Sequence, residues 1–347
     1  MTNSTSPRVL IVGAGSIGMI FGYHLTLANV DVTYLVRERH IERLSRPQAL
    51  YSYDDNSLKT YDGYSVISAH AGIAEGKFDY ILLTLDGASL QSEDGIELTK
   101  AIGEAVQGTD TKVIQGGMFV GSQDWFQKVS GLRDEQFTNS YFAILAYSPS
   151  AVTLPFHGQT DPSLLEKADL AYSDRMHAGL FIADSAPAIA NGFVDLYNAS
   201  GVSKAIVVPA ADFAMYANAM FALFGGCELL GWPKFADIDP SSEVWRLGIA
   251  AMKEIQTLSI HGEAGRKAAE ATTEASALEE QAAMEKLMWP LDLQAFNRFH
   301  HGGKVNKQDR AILAASLAAG REENKDMPAL SELLERLERD LPASERA

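Results

Sequence analysis

Two short stretches of this 347-residue chain combine residue types that do chemistry. The first, "VLIVGAGSIGMIFGYHL" at 9–25, spaces glycines at 13, 15 and 18 as GxGxxG between an apolar β-branched run and a helical pattern. In that setting the first glycine permits a tight turn, the second lets backbone approach a pyrophosphate, and the third allows a helix to pack closely on a strand. The helix then presents its N-terminal amides, at Ser16 and Ile17, to the anion. The second stretch, "FHHGGKV" at 299–305, places His300, His301 and Lys304 around a glycine pair. Adjacent histidines on a helix point about 100° apart, and the chain has no HxxxH, HExxH or cysteine pair, so the run does not read as a metal centre. It also lacks the first glycine and the hydroxyl of a GxxxxGK[ST] phosphate loop. Two readings stay open. Gly302 and Gly303 break a helix whose last carbonyls the histidines cap, or Lys304 supplies a cation while His300 or His301 donates a proton or binds a substrate anion.

These groups need elements to hold them. "RVLIV" ending in Gly13 is a strand, the stretch after it a helix, and "DVTYLV" at 31–36 a second strand. At its end "VRERH" offers Arg37 where an NAD-binding fold carries an acid for the ribose hydroxyls, which favours NADP over NAD, with Arg37 on the 2′-phosphate. "YSVISA", "YILLTL", "KVIQ" and "YFAILAYS" continue a doubly wound α/β pattern, with "GIELTKAIGEAV" as a helix among them. "AVTLPFHG" and "ADLAYS" read as added antiparallel strands, and "PAIANGFVDLYNASG" as a helix closing the first domain. Beyond Pro209 strand signals nearly vanish. Asp239 with Pro240 reads as a helix start, and leucines 330, 333, 334, 337 and 341 mark a further amphipathic helix. The expected division is therefore 1–208, α/β and nucleotide-binding, and 209–347, all helical, carrying the substrate and any dimer contact, with the substrate in the cleft between them.

Composition narrows the function. The chain is 46% hydrophobic and 21% charged, as folded domains are, and its formal charge of −16 argues against nucleic acid or an anionic membrane as partner. Its longest charge-free apolar run, 213–227, is shorter than a membrane span. A lone cysteine, Cys227, and an N-terminus without signal-peptide features fit a cytoplasmic protein.

The glycine turn, the arginine after the second strand, "DYILLTL", "KVIQGG" and a helix carrying "YANAM" together resemble the ketopantoate reductase family over nearly the whole chain. The resemblance implies a Rossmann-type domain joined to a helical domain, NADPH as cofactor, often a homodimer, and reduction of a 2-keto acid. It also exposes departures. Asp86 stands where the family has a lysine after the fourth strand, Gly116 replaces the asparagine of "QNG", and Ala214 takes the place of the catalytic lysine one turn before Asn218. Lys304 aligns with a late glutamate. Alanine cannot polarise a ketone, so ketopantoate is not the expected substrate. The expected cofactor residues are Gly13, Gly15, Ser16, Ile17, Gly18, Arg37, Leu85 and Gly116, and the expected catalytic ones are Lys304, His300 and Asn218. Tyr216 and Asp86 are lesser candidates. The reading is an NADP-dependent oxidoreductase acting on a small carbonyl, alcohol or imine. The alternatives are a non-catalytic NADP-binding sensor or partner protein, and a ketopantoate reductase with a rearranged site.

Overall fold

The computed structural model describes residues 6–339, apart from the side chains at 211 and 214–217. Tyr216, Ala214 and Leu341 therefore lie outside what is described below. The chain clusters into two units: the described residues up to Thr153 with Gln159–Pro209, and Leu154–Gly158 with the described residues from Ala210 on.

Among the described residues twelve strands occur, β1 (Arg8–Val12), β2 (Asp31–Leu35), β3 (Gln48–Ser52), β4 (Ser57–Tyr61), β5 (Tyr64–Ile67), β6 (Tyr80–Leu83), β7 (Lys112–Gln115), β8 (Phe137–Phe142), β9 (Leu145–Tyr147), β10 (Leu170–Ser173), β11 (Leu180–Ala183) and β12 (Ala205–Val208). The main sheet runs β12-β11-β8-β7-β6-β1-β2-β5. Its pairings are parallel except that between β8 and β11. The segment from β5 to β8 thus has the doubly wound order expected of a dinucleotide-binding fold. β1 shows why the sheet is covered on both faces. Val9 and Ile11 enter a core shared with the helices Ser16–Leu27 and Pro187–Asn198. Leu10 and Val12 enter a second core with Leu98, Ile102 and Phe126. A strand buried on both faces reads as the unbroken apolar run seen in the sequence.

A second sheet, ordered β4-β3-β10-β9, was not evident in the sequence. "YFAILAYS" is not one strand, because β8 ends at Phe142 and β9 begins at Leu145 in the other sheet. "ADLAYS" supplies β10, antiparallel to β9 but parallel to β3. The strand expected in "AVTLPFHG" does not form: residues 152–157 have no regular structure. Pro155 has no N–H to give to a ladder. The stretch instead joins the helical unit, where His157 Nε2 meets Asp292 Oδ2 at 2.8 Å and its ring stacks on Trp289 with centroids 4.5 Å apart.

The helical unit is built on Ala210–Leu229, against which Glu243–Gln256 and Pro328–Arg339 pack. Gly226 and Gly248 bring the first two helices together, since a Cβ on either would lie within 3.5 Å of the other's Cα. Leu330, Leu333, Leu334 and Leu337 are all buried. Asp239 does not cap the following helix. Its carboxylate accepts from the amide of Ser241, and Ser242 caps Glu243–Gln256 by accepting from the amide of Trp245. No helix among the described residues is long and apolar enough to cross a membrane.

Candidate active site

The first glycine of the turn has φ +101°, a conformation that favours glycine, and its N–H donates to the Leu35 carbonyl at 3.0 Å, tying β1 to β2. Gly18 sits where a Cβ would lie 2.2 Å from the Gly13 carbonyl oxygen and 2.8 Å from Thr84 Oγ1. Gly15 is the opposite case, with nothing within 4 Å of a built Cβ. As N-cap of Ser16–Leu27 it offers no side-chain oxygen, and the first turn holds no acid. The helix amides therefore have no side-chain cap and open onto clear space, which suits a phosphate.

That space is a cavity of about 510 Å³ at the carboxyl ends of β1, β2 and β6. Gly13, Gly15, Arg37 and Leu85 line it. Ser16, Ile17 and Gly18 continue from its floor into the helix. Arg37 is 58% exposed and its Nη2 lies 3.1 Å from Asp94 Oδ2. Arg43, also at the wall, donates to the Ala14 carbonyl at 2.8 Å and so braces the turn. Sequence reasoning missed Arg43 because its short helix, Ile41–Leu44, is too brief to show periodicity. His40 completes this basic edge. Desolvation, then Arg39, Arg43 and Arg37, hold its imidazole below the ordinary value.

Two of the family-position residues have structural explanations. Asp86 caps the short helix Gly87–Gln91, accepting from the Ser89 amide at 2.7 Å. Gly116 follows β7, two strands from β1, and its N–H donates to the Leu83 carbonyl at 3.0 Å. A Cβ there would lie 1.9 Å from the Phe142 ring. Gly116→Asn should therefore lower stability by about 1–3 kcal/mol, readable in a denaturant titration, because Phe142 must leave its packing against Phe21.

In the helical unit, Asn218 is buried at 6% exposure on Ala210–Leu229. His300 and Lys304 sit at the two ends of a π-helical turn, His300–Lys304, which carries the chain from Leu293–Phe299 into Asn306–Glu322. The glycine pair does not break the helix as expected, because the wider turn absorbs it, with the Val305 N–H donating to the His300 carbonyl at 2.8 Å. His300 stacks on Phe296, and Lys304 is exposed, with no ion pair among the described residues. His301 turns inward onto Phe224 and Asp309, a pair that the sequence did not reveal. Cys227 is fully buried, its thiol pushed up to about 12 by burial. Among the described residues no three His, Cys, Asp or Glu side chains gather as a metal site.

Comparison with known proteins agrees with the resemblance read from the sequence. Residues 9–116 match the family model described as ketopantoate reductase PanE/ApbA. No protein with a curated description matches the chain. Among solved structures, a 2-dehydropantoate 2-reductase from Geobacter metallireducens GS-15 is 16% identical, with 96% of this chain and 100% of that one covered at a TM-score of 0.63. A 2-dehydropantoate 2-reductase from Methylococcus capsulatus is 15% identical, with 96% of each chain covered and a TM-score of 0.62. D-mandelate dehydrogenase, solved in complex with NADH, is 14% identical, covering 96% of this chain and 98% of that one at 0.62. At such identities the likeness is one of fold. Residues 9–116 are thus similar to the ketopantoate reductase PanE/ApbA family model, and the chain as a whole has the fold of solved structures that bear that family's name.

Proposed function

We propose that the chain is an NADP-dependent oxidoreductase that interconverts a small carbonyl or imine with its alcohol or amine. The family match and the fold support a nicotinamide-dependent oxidoreductase of the ketopantoate reductase type. The observation that carries the reading is the glycine turn of β1, open at Gly15 and leading into the cavity edged by Arg37 and Arg43. The bound nicotinamide would supply or accept the hydride. The chain's own part is to seat the pyrophosphate on the amides after Gly15, to place Arg37 on the 2′-phosphate, and to bind and polarise the substrate through Asn218, His300 and Lys304.

Arg37 is suited to a phosphate because its present partner is a single exposed carboxylate, Asp94, which an incoming dianion can replace. Arg37→Ala should weaken NADPH binding ~10- to 100-fold, the worth of one or two charge-assisted hydrogen bonds, and leave NADH within about threefold. Fluorescence titration with both nucleotides measures this. Equal losses would remove NADP from the assignment.

Ketopantoate is not the proposed substrate. Asp86 is engaged as a cap, and alanine at 214 offers no cation. Lys304→Ala should reduce turnover of the true substrate ~100-fold with an unchanged melting temperature, since Lys304 is exposed and makes no ion pair among the described residues. Retained turnover would clear Lys304 of any role. A cytoplasmic homodimer remains part of the proposal.

A further inference from the structure

The nucleotide cavity carries charges of both signs, and its acidic members have no part in the function proposed above. Arg37, His40 and Arg43 reach it from the chain that follows β2. The first turns of the helix Glu93–Val106 bring Asp94 and Glu97 to the same space. The two sets meet at one ion pair, with Arg37 Nη2 3.1 Å from Asp94 Oδ2.

Of the basic groups, Arg37 is the one that can answer a phosphate. Arg43 is engaged on the Ala14 carbonyl at 2.8 Å. His40 is held below its ordinary value by desolvation and by its arginine neighbours, so it brings little charge at neutral pH. The acid that meets Arg37 is not needed by its own helix. Ser92 caps Glu93–Val106, its hydroxyl accepting from the Gly95 amide at 3.2 Å. With side chains 58% and 76% exposed, the Arg37–Asp94 pair contributes little to holding the fold. Its place is what gives it a consequence, since it occupies the guanidinium proposed for the 2′-phosphate.

A dinucleotide-binding fold that takes NAD has an acid after its second strand to bond the ribose hydroxyls. Glu38 stands there in this sequence, but it does not line the cavity, whereas Asp94 does. The carboxylate has been brought to the cavity from another element.

We propose that Asp94 sets the choice between NADPH and NADH. This rests on the nicotinamide reading above. A ribose with free hydroxyls donates to the Asp94 carboxylate and leaves the pair with Arg37 in place. A 2′-phosphate must instead take Arg37 from Asp94 and then lie beside the displaced carboxylate, against like-charge repulsion. Asp94 therefore favours NADH and opposes NADPH, and it brings the two affinities closer than Arg37 alone would leave them.

Asp94→Asn keeps the size of the side chain and one acceptor oxygen but removes the charge. Glu97→Gln removes a charge from the same helix and the same cavity without touching the ion pair. Both variants should melt with the parent, because both side chains are exposed. Calorimetric titration of the full-length, cofactor-free proteins at low ionic strength reads the outcome. Asp94→Asn should bind NADPH ~5-fold more tightly and NADH ~5-fold more weakly, a ~25-fold rise in the affinity ratio, each change being about that of one exposed charged contact. Glu97→Gln should change the ratio less than about threefold, as a charge acting only at longer range does. A ratio that moves less than about threefold in Asp94→Asn overturns the proposal, as does an equal rise in both variants. A parent that binds NADPH but not NADH overturns it too, and each of these results leaves the nicotinamide reading in place. A folded parent that binds neither nucleotide removes that reading, and the role of Asp94 with it.

Discussion

Gly15→Val is expected to melt with the parent protein and to bind NADPH at least ~100-fold more weakly. The two halves of this result have separate causes. No atom lies within 4 Å of a Cβ at position 15, so a side chain there disturbs nothing in the protein. The same clear space is where a pyrophosphate must approach backbone amides, and two methyl groups would hold it off. Loss of about two close phosphate hydrogen bonds, each ~1.5–3 kcal/mol, gives the stated factor. Gly18→Ala should do the reverse. Its single methyl would sit 2.2 Å from the Gly13 carbonyl oxygen, which belongs to backbone and cannot swing aside. The helix Ser16–Leu27 must then lift from β1, at about 1–3 kcal/mol of stability. Thermal melts and nucleotide titrations on the two variants separate these outcomes. Valine at 15 with full NADPH affinity would show that the cofactor does not lie over this turn.

The second large effect is on the pH dependence of stability, which should peak near pH 6.5 and fall on both sides. Burial holds three histidines neutral in the folded protein. His24 and His301 are pushed down to about 3 and His261 to about 4. In the unfolded chain they protonate below their ordinary 6.5, so as pH falls from there the unfolded state gains protons that the folded state refuses. Two carboxyls with large shifts oppose this, and burial also raises Glu285. Asp174 is pushed up to about 7 and Asp309 to about 8, each chiefly by burial. Each keeps a proton that the unfolded chain releases above its ordinary 3.8. Their stabilisation is complete below that value and declines as pH rises to the folded pKa. Each group changes stability by about 1 kcal/mol per pH unit within its window. Between pH 4 and 6.5 three histidines outweigh two acids, and stability rises with pH. Above 6.5 the acids act alone, and about 2 kcal/mol is lost by pH 8. The carboxylates held low by partners, Asp169 and Glu323 among them, act only below about pH 5. Denaturant titrations at pH 5, 6.5 and 8 test the peak. Asp309→Asn should remove more than half of the alkaline decline, and a curve still rising from 6.5 to 8 would contradict the assignment.

The nucleotide half was legible in the sequence for a physical reason. β1 is buried on both faces and so is written as an unbroken apolar run, and the glycines after it are required by one positive φ and one backbone collision. The small second sheet was not legible. β3 and β4 carry Tyr51, Ser52, Lys59 and Thr60 rather than an apolar run, and the pairing of β3 with β10 joins residues more than a hundred positions apart. β11 and β12 have four residues each, too few for a period to declare itself. In the helical unit, sequence spacing found the histidines but not their directions. Angular positions on an α-helix do not hold across a π turn, and it is that turn which faces His301 toward Asp309.

The five residues Leu154–Gly158 have a consequence for how the protein is made. They belong to the helical unit, yet they leave the ribosome before the last strands of the first unit and 135 positions ahead of Asp292, the partner of His157. At ~5–20 residues per second the stretch must wait on the order of ten seconds for its contacts, while the chain around it is already folding. The second unit thus cannot be completed by its own contiguous sequence. A polypeptide beginning at Ala210 would emerge with Asp292 and Trp289 lacking their neighbour, and a separately supplied 154–158 segment should restore part of its stability.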